Sequence, residues 1–142
     1  SSCKTSYQPK TAEGWFNVAV IEDVETYIDT ISIRHEGAIT YAKEKRVYIS
    51  SDSKDKYVDK IKAEYEKMKK PEKAERWNDF SYSIYNCLYE CTNKRFRILS
   101  IEDYDSKGTL ILKTVSPKKK VRWLNIDNET VGDYTFFLIC DY

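Results

Sequence analysis

The chain has 142 residues, a third of them charged, yet 24 basic and 23 acidic side chains leave a formal net charge of +1. Such a balance gives no global electrostatic drive toward nucleic acid or an anionic membrane, so a charged partner must meet a local patch. No apolar run approaches the roughly 20 residues that cross a bilayer as a helix, and the run from Phe136 to Cys140 is far too short.

Ser1 to Glu13 is polar, contains Pro9 and reads as an N-terminal arm. No segment has the form of a secretory leader, but a mature exported chain has lost its leader, so no compartment is excluded on that ground. After Gly14, Phe16, Val18 and Val20 alternate with Asn17 and Ala19, which predicts a first strand. The acidic Glu22-Asp23 turn leads to a second strand from Glu25 to Thr30, and Ile31 to Arg34 continues extended or as a turn. A third strand is expected from Ala38 to Ser50. Ile39, Tyr41, Val47 and Ile49 share a face with Lys43 and Lys45 there, a pattern that suits an edge or half-exposed strand with lysine stems laid over apolar surface.

The period then changes to that of a helix. Ser51-Asp52-Ser53 offers N-cap residues, and Tyr57, Val58, Ile61, Tyr65 and Met68 follow at helical spacing, predicting an amphipathic helix over 52–70 stopped by Pro71. From Trp77 strand composition returns. Phe80, Tyr82 and Ile84 form one face, and Tyr85, Cys87, Tyr89 and Cys91 the other. Arg95 to Tyr104 and Thr109 to Val115 are expected to pair across the Asp105-Ser106-Lys107-Gly108 turn. Pro117 to Lys120 reads as a loop and Val121 to Ile126 as a short extended piece. The segment from Val131 to Cys140 suits helix and strand alike; Asp127-Asn128 as an N-cap, with Glu129 in the first turn, favours a short helix. Strands without βαβ alternation point to an α+β fold with an antiparallel sheet.

Cys3, Cys87, Cys91 and Cys140 allow three disulfide pairings. Cys87 and Cys91 also have a zinc-knuckle-like spacing, but no second knuckle accompanies them and His35 is the only histidine, so disulfides, and with them an oxidising compartment, fit better. His35 lies between Arg34 and Glu36 at an expected turn and reads as a surface residue. Only four glycines are present and none builds a phosphate-cradling loop. Catalytic residues, metal ligands and cofactor sites are therefore not assigned. Two binding surfaces are: the basic run Lys118, Lys119, Lys120 and Arg122, suited to sulfated glycan or an acidic protein segment, and the strand tyrosines Tyr82, Tyr85 and Tyr89, with Tyr104.

An ordered set of motifs adds to this reading. Trp15 opens the first strand; Tyr27-Ile28-Asp29 and Ile33 follow; Glu90-Cys91 precedes Arg95-Phe96-Arg97-Ile98-Leu99; then come Tyr104-Asp105 with Gly108, Trp123, Val131-Gly132 and Cys140-Asp141-Tyr142. In this order the chain resembles the surface-adhesin protein E family of bacterial envelope and secreted proteins. The resemblance implies one domain over 1–142, an antiparallel sheet of about six strands, and a C-terminal helix held on one face by a Cys91–Cys140 bridge. The charged helix after the third strand would be an addition to that plan. Cys3 and Cys87 are not needed by the family pattern and are expected either to form a second bridge or to leave Cys3 as a lipidation site. The implied role is non-enzymatic binding of host matrix or plasma proteins from a secreted, periplasmic or cell-surface location. A periplasmic structural or inhibitor-like domain with an endogenous bacterial partner is the alternative.

Overall fold

The computed structural model describes residues 14–117 and 122–142. Strand β1 (Trp15–Ile21) turns at Glu22 and Asp23, both in the left-handed region with φ of 52° and 61°, into β2 (Val24–Asp29). Two residues of this conformation match the twist of the flanking strands, which is why so short a turn closes the hairpin. Gly14 is required at its position: its φ is 77°, and a Cβ there would lie 2.7 Å from Ile31 Cγ1. A 3-10 turn (Thr30–Ser32), capped by the Asp29 carboxylate, leads to the short strand β3 (Arg34–Glu36) and then to β4 (Ile39–Tyr48).

Helix α1 (Ser51–Lys67) starts one residue before the expected boundary. Its N-cap is Ser50, whose hydroxyl accepts from the Ser53 amide while the Ser53 hydroxyl accepts from the Ser50 amide. This reciprocal pair satisfies two amides that the helix start would otherwise leave open. Pro71 does not merely stop the helix; it opens a 3-10 helix (Pro71–Trp77), where its missing N–H costs nothing. The chain returns through β5 (Phe80–Glu90), β6 (Arg95–Asp105), β7 (Leu110–Val115) and the two-residue β8 (Leu124–Asn125), and ends in α2 (Val131–Asp141). The cap of α2 is Thr130, which accepts from the Asp133 amide; Asp127-Asn128 lies outside the helix.

All eight strands form one antiparallel sheet, ordered β1-β2-β4-β5-β6-β7, with β3 beside β4 and β8 beside β6. The expected α+β architecture is present, with the short β3 as an addition. β4 is not an edge strand: it pairs with β2 over Glu44–Tyr48 and with β5 over Ile39–Val47. Its lysines belong to one face of a central strand, and that face is open.

The helices α1 and α2 pack on the opposite face. Under α2, Ile28, Ala42, Tyr85, Cys87 and Tyr89 meet Phe136 and Ile139. Each large side chain buried here contributes roughly 1.5–3 kcal/mol relative to exposure. Under α1 and the 3-10 helix, Tyr48, Val58, Trp77, Phe80 and Ile111 form a second cluster. Between them the Asp103 carboxylate accepts hydrogen bonds from Trp77 Nε1 (2.9 Å), Tyr57 Oη (2.8 Å) and Ser83 Oγ (2.6 Å). The bridge between Cys91 at the end of β5 and Cys140 in α2 closes a separation of 49 residues and pins the helix to the sheet.

Cys87 has no disulfide partner among the described residues. It is a free thiol, 3 % exposed, in the core under α2, and burial raises its pKa well above that of an ordinary thiol. Cys3, its expected partner, lies outside the described residues.

Candidate binding face

Because successive side chains of a strand point to opposite sides, the register assigns every strand residue to the helix face or the open face. On the open face one row across the sheet is Arg34, Tyr41, Leu88 and Arg97; the next is Lys43, Asn86, Ser100 and Val115. Tyr27, Lys45, Ile84, Glu102 and Lys113 follow, then Glu25, Val47, Tyr82, Tyr104 and Leu110. Among the described residues no helix lies over these rows.

The side chains interlock. The Lys45 ammonium sits between two aromatic rings, 4.6 Å from the Tyr82 centroid and 5.5 Å from that of Trp15, and Tyr104 stacks on Tyr82 at 4.9 Å. A cation, two tyrosines and a tryptophan from four strands thus form one continuous stack, an arrangement favourable to an ammonium group because ring faces are electron-rich. The Arg34 guanidinium lies 4.1 Å over Tyr41, whose hydroxyl donates to Asn86 Oδ1 at 2.8 Å. Asn86 Nδ2 donates in turn to Ser100 Oγ (2.9 Å) and Glu102 Oε2 (3.2 Å). Glu102 also accepts from the Tyr104 hydroxyl and faces Lys113. Burial, reinforced by the bond to Glu102, raises the Tyr104 hydroxyl far above its ordinary pKa; burial likewise raises Tyr41, with Arg34 working against it.

Charges of both signs on this face lack an ion-pair partner among the described residues, the carboxylates being Glu25, Asp29 and Glu36. Glu90 is paired with Arg95 and Glu102 with Lys113, whereas none of Arg34, Lys43, Lys45 and Arg97 forms an ion pair with a carboxylate among the described residues. The rows of Arg34–Arg97 and of Lys43–Ser100 contain no carboxylate at all.

The tyrosines named from the sequence are divided between the two faces. Tyr82 stands on the open face. Tyr85 and Tyr89 do not: they are 6 % and 3 % exposed in the core beneath α2, and burial raises both hydroxyls. Of the basic run, Arg122 is exposed, and Lys118, Lys119 and Lys120 lie outside the described residues. Arg34, Lys43, Lys45 and Arg97 are not among the candidates named from the sequence; for the two lysines the face they share with Ile39, Tyr41 and Val47 is the signal. His35 is exposed and its Nδ1 is hydrogen-bonded with Thr40 Oγ1 at 2.9 Å. Among the described residues no group of three or more His, Cys, Asp or Glu side chains is placed to hold a metal ion, and no helix is long and apolar enough to cross a membrane. The helix face carries an apolar groove of about 410 Å³ between α1 and the β6–β7 edge, floored by Ile61, Tyr65, Trp77, Ile101 and Leu112.

The family described as surface-adhesin protein E matches residues 15–141. No curated protein sequence matches the chain. Among solved structures, crystal form II of Haemophilus influenzae protein E superposes with a TM-score of 0.54 at 14 % identity, covering 90 % of this chain and 87 % of that one. Protein E from non-typeable Haemophilus influenzae has a TM-score of 0.50 at 15 % identity, covering 97 % of this chain and 80 % of the other. At such identities the likeness is one of fold.

Proposed function

This chain belongs to the surface-adhesin protein E family, and we propose that it is a non-enzymatic binding domain, displayed on or secreted from a bacterial cell, that docks its ligand on the open face of the sheet. The observation that carries this reading is the asymmetry of the two faces among the described residues: α1, α2 and both core clusters lie on one side, and the other keeps an aromatic–cation stack and four cations that form no ion pair with a described carboxylate. Aromatic and arginine side chains are the residue types that dominate binding hot spots. Host extracellular-matrix and plasma proteins are the partners that family membership supports. Disulfide-tethered packing of α2 supplies rigidity in an oxidising environment.

Adhesion of the purified protein to immobilised laminin, vitronectin and whole extracellular matrix, followed by surface plasmon resonance, tests this. Binding lost in an open-face variant, Tyr41→Ala with Arg97→Ala, and kept in a helix-face variant, Lys60→Ala with Glu64→Ala, is the expected pattern. Equal binding by both variants, or none by the unaltered protein, overturns the reading.

A further inference from the structure

We propose that the basic half of the open face binds a linear sulfated glycan; this rests on reading that face as the docking surface and assigns it a ligand class. The half in question is bounded by Arg34 and Arg97 in one row, Lys43 in the next and Lys45 beyond it. Lys43 and Lys45 are two residues apart on β4, about 7 Å. Arg34 and Arg97 are separated by three strand pairings, about 14 Å. The cations therefore spread over an area rather than converging on a point, which suits a ligand that repeats its charge along its length and not a single small anion.

Between the cations Tyr41 offers a ring, the kind of surface on which a sugar stacks, and the buried Asn86 and Ser100 hold it in place through the Tyr41–Asn86–Ser100 hydrogen bonds. The carboxylates that border these rows are Glu102, held by Tyr104, Asn86 and Lys113, Glu90, paired with Arg95, Asp29, which accepts from the Ile31 amide, and the exposed Glu36, two residues from Arg34 on β3. An anionic polymer thus meets little opposing charge in the two central rows.

An acidic peptide is the competing occupant, and the geometry disfavours it. Extended peptides gain much of their affinity by pairing main-chain groups with a sheet edge. Lys43, Lys45 and Arg97 project from the face of β4 and β6, strands that pair with β5 along this stretch, and the Lys43 amide is taken by Ser32 Oγ; Arg34 stands on β3, which pairs with β4. A sulfated glycan needs no such pairing, because its charges and hydroxyls are ring substituents.

Isothermal titration with a heparin-derived octasaccharide tests the proposal. The expected result is binding that weakens steeply as salt is raised and falls by about tenfold in Lys43→Gln/Arg97→Gln, two changes at half-buried side chains. That variant is expected to keep the thermal unfolding of the parent, so loss of binding is not loss of fold. Unsulfated heparosan should not bind, and Lys118→Gln/Lys119→Gln/Lys120→Gln should bind as the parent does. Equal binding of polyglutamate assigns the face to acidic peptides and overturns the proposal. Loss of binding in the 118–120 variant alone overturns the location. Matrix binding that depends on Tyr41 and Arg97 while the octasaccharide fails to bind leaves the docking face standing and removes only the glycan.

Discussion

The Trp77 indole donates a 2.9 Å hydrogen bond to the Asp103 carboxylate, and this contact joins the 3-10 helix after α1 to the centre of the sheet. Asp103 is 6 % exposed, and Tyr57 and Ser83 complete its shell. Asp103→Asn turns an acceptor-only group into one that presents an N–H₂ toward donors. Loss of about 2–3 kcal/mol in urea unfolding is expected. A double-mutant cycle with Trp77→Phe should be non-additive, because both changes remove the same bond.

Joining Cys91 to Cys140 across 49 residues restricts the unfolded chain. The loop-entropy relation gives about 4 kcal/mol for that separation. Cys91→Ala/Cys140→Ala should lower stability by roughly that amount and expose the α2 side of the core, read by calorimetry and by binding of a hydrophobic dye. An unchanged melting temperature means that packing alone docks the helix.

Asp133 is held by Lys94 and by the Glu129 amide, and the Lys94 contact foremost keeps its carboxyl below the usual carboxylate range. A folded-state pKa below the unfolded one stabilises the protein above the unfolded value, and that stabilisation is lost as pH falls through the folded value. Stability should therefore decline as pH drops from about 4. Asp133→Asn should flatten that limb of the curve while changing the neutral plateau in the destabilising direction. Denaturant midpoints collected across the acid range check both.

Cys87 should be inert in the native protein, since only the thiolate reacts and burial disfavours it. In a Cys3→Ser variant, a thiol-reactive dye is expected to label nothing until denaturant is added and then one site. Rapid native labelling contradicts its place under α2.

The strands, α1, α2 and the alternation from Tyr82 along β5 are legible in the sequence because each is a local pattern; Phe80, expected on the face of Tyr82, is buried under α1 because a bulge lies between the two. What periodicity does not report is lateral position or which face is covered. Lys43 and Lys45 marked a solvent-facing side of β4, and an edge strand and a central strand with one open face give the same pattern. Tyr82 and Tyr85 fell correctly on opposite faces of β5, but composition did not say which face the helices would cover, so Tyr85 and Tyr89 were grouped with the exposed site. The caps at Ser50 and Thr130 differ from those expected because capping residues were plentiful at both boundaries and the hydrogen bonds chose among them. Arg34 joined the site only through the pairing of β3 with β4, a contact that no single segment encodes.

The separation of the faces gives the chain two nearly independent registers of change. Along Tyr82–Leu88 every second side chain is committed to the interior beneath the helices, and the residues between them are not. Substitutions at the uncommitted positions can retune what the molecule recognises without renegotiating how it folds. Tyr41, Lys43, Lys45 and Arg97 can change while the opposite side of the same strands stays fixed.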